Sequence, residues 1–204
     1  MNLKIKKSIL VLVFMGTLGS AFAGVNTFWD FGRVSATGVF TDEGALFRPT
    51  LEIPEFYIIG EKTGLFASFC PFEMNFSWAP ERARTEGENE ILPWQLDSIS
   101  FVNFNLGWSK NLTESLLLQT YVRGNAVNVM NINQFKFSPA AELSWTPDFI
   151  FDIFEDSPVP FMLKAVYLKG GAEFSSTKNF KPDYFVSLGL DFIIFASMSA
   201  CFGK

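Results

Sequence analysis

The residues that usually carry chemistry are thinly represented in this chain, and the pattern of what is missing is informative. There is no histidine in 204 residues. That removes the usual general base for a serine or cysteine nucleophile and the commonest metal ligand. Catalysis by carboxylates alone would need two acids held together, and no paired acidic motif stands out. The two cysteines, Cys70 and Cys201, are too few for a disulfide scaffold. An oxidising compartment would let them pair, but they fall on segments not expected to be neighbours, so free thiols are expected. No catalytic, cofactor-binding or metal-binding residue is assigned, no cofactor is implied, and no enzyme is expected. What the polar residues do offer is ion pairing. Glu73, Asn103, Asn105, Gln119, Arg123, Lys136, Glu142, Lys164 and Asp191 oppose apolar stripes and carry both signs. Enclosed together, opposite charges among them are expected to pair, because an unpaired buried charge is costly.

The elements that would enclose them are strands. From Leu188 to Phe202 every even position is apolar, while Ser187, Gly189, Asp191, Ser197 and Ser199 occupy odd ones, interrupted by Ile193 and Phe195. Side chains alternate between the two faces of a strand, so such a run has one apolar and one mostly polar face. The same alternation recurs. Phe72, Met74, Phe76 and Trp78 oppose Glu73, Asn75 and Ser77; Val102, Phe104, Leu106 and Trp108 oppose Asn103, Asn105, Gly107 and Ser109. Eight strands are expected: 25–40, 46–59, 65–78, one centred on 102–109, 114–123, 135–145, 161–170 and 184–202. The second is the least regular, because Pro49 and Pro54 each remove a ladder donor. Residues 81–90 read as a solvated loop, and the spacing of Ile150, Ile153 and Phe154 suggests a short interfacial helix within 147–158. Phe76-Ser77-Trp78-Ala79-Pro80 is echoed by Leu143-Ser144-Trp145-Thr146-Pro147. If that echo marks one side of a barrel, the strand count becomes ten.

Residues 1–23 read as a cleavable export signal. Lys4, Lys6 and Lys7 precede an apolar run, and Ala21-Phe22-Ala23 is a small-x-small cleavage site. Residues 24–204 then form a single domain. Removing the signal leaves 13 basic against 21 acidic residues, a net charge of −8 that argues against a nucleic-acid partner. Apolar residues make up 49% of the chain and charged residues 18%, below the ~25% usual for soluble domains. With 25 phenylalanines and no apolar stretch long enough for a spanning helix, this composition fits a membrane barrel, where lipid-facing and lumen-facing residues alternate. Trp29, Trp78, Trp94, Trp108 and Trp145 fall near strand ends, as an interfacial girdle would require.

Taken together, these patterns describe an all-β, antiparallel up-and-down transmembrane β-barrel, and the chain resembles the small bacterial outer-membrane barrels of the OmpA, OmpX and OmpW kind. The most specific part of the resemblance is the last strand. There Gly189, Phe192 and Ile194 match a Gly-x-x-aromatic-x-apolar assembly signal, and Phe202 stands close to the terminal aromatic residue that such proteins often carry. The resemblance implies the cell outer membrane as location. Its partners would be outer-membrane lipid, the barrel assembly machinery and periplasmic chaperones, with an extracellular ligand at the outer loops as a further candidate. Enzymes of similar fold use a histidine that this chain lacks. The expected role is structural, surface contact or small-solute permeation, with a salt-bridged and mostly plugged lumen. The alternative is a soluble periplasmic lipocalin-like barrel carrying a hydrophobic ligand, with the same alternation turned inside out.

Overall fold

A computed structural model describes residues 24–42, 44–78, 84–86, 89–91, 93–128, 134–157 and 162–194. Residues 1–23, read from the sequence as an export signal, and the last ten residues, Cys201 and Phe202 among them, lie outside this set. The strands are β1 (Val25–Asp30), β2 (Arg33–Thr41), β3 (Gly44–Ile53), β4 (Glu55–Gly60), β5 (Leu65–Trp78), β6 (Arg84–Glu86), β7 (Asn89–Ile91), β8 (Trp94–Asn111), β9 (Leu116–Asn128), β10 (Lys136–Trp145), β11 (Val166–Ser175) and β12 (Pro182–Asp191). An α-helix, α1 (Asp148–Phe154), lies between β10 and β11. Among the described residues no helix is long and apolar enough to cross a membrane, which says nothing of a barrel.

Eight strands close an antiparallel ring in the order β5-β3-β2-β12-β11-β10-β9-β8, with β8 pairing back onto β5. β1 and β4 stand outside that ring. They pair with each other, and β4 also pairs with the first half of β5. The ring has two ends. The segments after β5 and β9 lie at one, called here the loop end. Helix α1, the first described residues and the end of β12 lie at the other, the helix end.

The expected first strand is split at Phe31–Gly32 and the second at Pro54. Both breaks reverse the alternation. Asp30 and Arg33 are both buried, as are Glu52 and Glu55, although each pair is three residues apart. The breaks face each other, since Asp30 pairs with Glu55 and Arg33 with Glu52. Gly32 has φ +105°, and a Cβ there would collide with the Glu52 carbonyl, so no other residue fits without strain. The reversal continues across the sheet. Cys70 and Glu73 of β5 both face inward, as do Ser100 and Asn103 of β8. Between the latter two, Phe101 and Val102 are both exposed, with Val102 at φ +61°. The four breaks are neighbours, because Ile53 pairs with Phe72 and Phe72 with Phe101. They form one seam at which facing reverses on neighbouring strands while the register holds; the register shift of a β-bulge lies nearer the loop end, at Asn75/Phe76 of β5 against β8.

Over Leu116–Asn125 of β9 and through β10, β11 and β12 the alternation is unbroken. Gln119, Tyr121 and Arg123 face in while Val122 is exposed; Ser187 and Gly189 face in while Val186 and Leu188 are exposed. At Gly189 the ring of its cross-strand partner Tyr167 occupies the space a side chain would take.

Further sequence expectations are corrected. The seventh strand is Val166–Ser175 rather than 161–170. Residues 81–90 contain the short paired strands β6 and β7 rather than a plain loop. The last strand stops at Asp191, short of the expected Phe202. There Asp191 Oδ1 accepts the Ile193 N–H at 2.8 Å, and Phe192 N–H turns to the Gly32 carbonyl. Ile193 then packs on Ile150 of α1 and Ala165, which draws the chain off the barrel wall. Ile193 had already broken the polar face in the sequence. The echoed Ser-Trp-x-Pro motifs do not mark one side. Trp78 ends β5 at the loop end and Trp145 ends β10 at the helix end, so the ring closes with eight strands rather than ten.

Candidate functional site

Arg33 lies at the centre of the lumen. Strand phase reversal at Gly32 turns it inward, and its guanidinium meets three carboxylates from three strands. Nη2 lies 2.6 Å from Glu55, Nη1 lies 3.1 Å from Glu142, and Nε pairs with Glu52. The face of the same guanidinium sits over the Tyr167 ring at 5.1 Å. Each of these carboxylates is satisfied further. Glu55 accepts from Tyr57 Oη and Asn105 Nδ2, both at 2.6 Å, and from Ser68 Oγ. Glu142 accepts from Tyr121 Oη at 3.0 Å, and from Ser144 Oγ and Lys164 Nζ at 3.2 Å each. Lys164 Nζ also donates to Tyr57 Oη at 2.9 Å. Buried charges are tolerated when paired, and every charged group of this cluster has at least one oppositely charged neighbour, although Asn105 Oδ1 has no hydrogen-bond partner among the described residues.

Glu52 joins this cluster to a second one nearer the loop end. Besides Arg33 it meets Arg123 Nη1 at 3.1 Å, and the other arm of Arg123 pairs with Glu73. Asn75 Nδ2 donates to Glu73 at 2.6 Å and to Ser98 Oγ at 3.0 Å. Glu173 takes Arg48 Nη1 at 3.1 Å and Lys136 Nζ at 3.3 Å, and Arg48 Nε reaches the half-exposed Asp97 at 3.5 Å.

On the helix-end side of the Arg33 cluster, Tyr57, Phe66, Tyr121 and Met162 form an apolar layer across the lumen. Met162 and Lys164 come from the link between β10 and β11, which turns into the barrel mouth. Met162 N–H bonds to Trp29 O at 2.6 Å, Thr146 Oγ1 donates to Leu163 O, and Asp191 N–H bonds to Ala165 O. Past this layer lies a vestibule with about 410 Å³ open to the centre of a water-sized atom. Phe28, Ile59 and Leu117 line it, with Glu61 and Glu114 at its edge.

The nine polar residues singled out in the sequence all have a place in this account. Glu73, Asn105, Arg123, Lys136, Glu142 and Lys164 belong to the two clusters. Asn103 is fully buried and donates to the Cys70 carbonyl at 3.4 Å. Gln119 lies nearer the helix end, donating to Ser109 Oγ at 3.5 Å. Asp191 makes no ion pair and caps the turn at Ile193. The sequence reading missed Arg33, Arg48, Glu52, Glu55 and Glu173, and with them the centre of the network. Gly32 and Pro54 were the available signal, since a glycine or proline inside a strand marks a break at which the facing can reverse.

Tryptophans occupy both ends. Trp78 and Trp94 lie at the loop end with ring centroids 6.2 Å apart, and Trp29, Trp108 and Trp145 lie at the helix end. Trp108 Nε1 donates to the Thr63 carbonyl at 3.0 Å. Of the residues matched to an assembly signal, Gly189 lies in β12, whereas Phe192 and Ile194 follow its end. Cys70 is a buried free thiol. Among the described residues no group of three carboxylate or thiol side chains converges on a point where a metal ion could sit.

No family model matches the chain, and no curated protein matches it. One solved structure that it is similar to is described as "De novo design of transmembrane beta-barrels". The two share 9% identity over 79% of this chain and 96% of that chain, with a TM-score of 0.35. So low a score carries no argument. The barrel stands on its own strand register.

Proposed function

We propose that the chain is an integral outer-membrane β-barrel with a closed lumen, without enzymatic activity, serving envelope structure and contact at its loop end. The observation that carries this reading is the sidedness of the wall. Phe40, Phe69, Phe76, Phe104, Leu106, Val122, Leu143, Leu168, Val186 and Leu188 are exposed on the outside, while Arg33, Arg48, Arg123, Lys164 and their carboxylate partners face the lumen. A soluble barrel would be expected to show the reverse. The tryptophans add a length scale. Trp94 and Trp108 lie fourteen positions apart on β8, about 46 Å of strand at ~3.3 Å per residue. At a tilt near 45° that spans ~33 Å of depth, close to the ~30 Å of a bilayer core. On this reading outer-membrane lipid surrounds the wall, and the assembly machinery and periplasmic chaperones are partners in transit. Solute passage is slow, because the charge network and the apolar layer leave no continuous opening.

Electrophoretic mobility tests the reading. A sample purified in detergent should run as a compact band before boiling and shift after it, and planar bilayers should record little steady conductance. A large steady conductance would overturn the closed lumen. A second reading, the soluble lipocalin-like carrier, is favoured by the apolar-floored vestibule at the helix end. It predicts a chain that stays folded and soluble without detergent, shows no shift, and copurifies with a hydrophobic ligand.

A further inference from the structure

Among the basic side chains that face the lumen, Lys169 stands apart. Every carboxylate in the two clusters has at least one basic partner, and Arg33, Arg48, Arg123, Lys136 and Lys164 each have at least one acidic one. Lys169 faces inward from β11, opposite Glu142 on one neighbouring strand and Ser187 on the other. It makes no ion pair or hydrogen bond with any described residue; its ammonium lies 5.9 Å from the centre of the Tyr167 ring. That ammonium borders a cavity on the loop-end side of Tyr121, lined also by Arg48, Arg123, Thr50 and Ser138. About 60 Å³ of the cavity is open to the centre of a water-sized atom, room for roughly four waters or one small oxyanion. The Ser138 hydroxyl likewise has no hydrogen-bond partner among the described residues. Toward the loop end the cavity abuts a smaller space bounded by Lys136 and Asn125; toward the helix end Tyr121 and the apolar layer close it.

We propose that this cavity is a dead-end binding site for one small free oxyanion, inorganic phosphate or a carboxylate, held by the Lys169 ammonium and the Ser138 hydroxyl. The physical reason is a cation without a direct partner. The three carboxylates on the cavity, Glu52, Glu73 and Glu173, make their direct contacts with Arg33, Arg123, Arg48 and Lys136, and Glu52 and Glu142 attract Lys169 only at longer range. Buried donors without a hydrogen-bond acceptor are unfavourable, and an anion relieves them through charge-assisted hydrogen bonds. Tyr121 and the apolar layer close the helix-end side, so the ion enters and leaves from the loop-end side. The proposal rests on the closed-lumen barrel described above.

The test uses the full chain, produced with its leader and purified in a neutral detergent free of phosphate. Calorimetric titration with inorganic phosphate should give saturable binding of one ion per barrel. Lys169→Met should weaken it by about tenfold or more, the loss expected for one hydrogen bond to a charged group. Lys169→Arg should retain binding, and Ser138→Ala should weaken it by less than Lys169→Met. Since Lys169→Met removes an unpaired charge, the variant should fold at least as well as the parent. Absence of saturable binding by the parent, or equal binding by Lys169→Met, overturns the proposal. Mobility of the same samples before and after boiling reports separately on the membrane barrel. A chain that binds phosphate yet folds without detergent would sink that reading and leave the anion site standing.

Discussion

The two halves of this barrel obey different rules. Over Leu116–Asn125 of β9 and from β10 to β12 the chain follows simple alternation, with apolar side chains outside and polar ones inside. From β1 to β8 it reverses phase once on every path, at Gly32, at Pro54, between Cys70 and Glu73, and at Phe101–Val102. The regular half contributes Glu142 and Lys164 to the central cluster, and the phase-reversed half contributes Arg33, Glu52 and Glu55. Without the reversal, Glu52 and Glu55 would lie on opposite faces of one strand, and one would point out of the wall. Local irregularity in four strands is therefore what lets three carboxylates meet one guanidinium.

The largest effect should come from Arg33→Met, which strands Glu52, Glu55 and part of the Glu142 interaction in the interior. Removing one member of a buried ion pair costs about 3–5 kcal/mol. Lys136→Met, in the regular half near the loop end, should cost about 1 kcal/mol, because Glu173 keeps Arg48. Urea midpoints followed by tryptophan fluorescence would separate the two, and equal losses would mean that Arg33 is not the centre. Next comes Leu188→Arg on the outer wall of the regular half. In a membrane it should cost ~2–4 kcal/mol. In a soluble barrel it would be harmless or improve solubility, so the sign measured in lipid vesicles decides the matter.

Gly32→Val should cost roughly 1–3 kcal/mol through left-handed backbone strain and collision with Glu52. Gly170→Ala in the regular half, where a Cβ meets only Phe185 O at 3.6 Å, should stay within about 0.5 kcal/mol. Thermal midpoints of the pair measure how much the seam constrains its residues. The smallest effect expected is a gain. Val102→Gly removes a β-branched residue from positive φ and should stabilise by about 0.5 kcal/mol after the entropic cost of glycine. A loss of stability there would argue that the Val102 side chain matters more on the outer wall than its backbone strain.

Much of the regular half was legible in the sequence, because strict alternation leaves only one way to put apolar residues on one face. Gln119, Arg123 and Glu142 were assigned to the interior on that ground, and all three are buried or half-buried there. Strands β5 and β8 were also located, since each half of them alternates cleanly. Arg33, Glu52 and Glu55 were not assigned, because alternation cannot be carried through a break without knowing which facing resumes beyond it. The end of β12 was misplaced for a related reason. Polar–apolar alternation continues past Asp191 in the sequence, but the capped turn at Ile193 and its packing on Ile150 interrupt the strand there, and residues 195–202 lie outside the described residues.

The sequence by itself determined the class of this protein. Period-two patterning, scarce charge and abundant phenylalanine leave a β-barrel as the way to bury one face of so many strands, and the absence of histidine narrows the chemistry available. Which charges meet was decided only by the tertiary structure. Each charged residue of the Arg33 cluster comes from a different strand or link, and their convergence depends on ring closure at eight strands and on the seam of phase reversals. The inward turn of the link carrying Met162 and Lys164 is a third requirement. These are long-range properties, set by how strands register against one another, and no stretch of local sequence contains them.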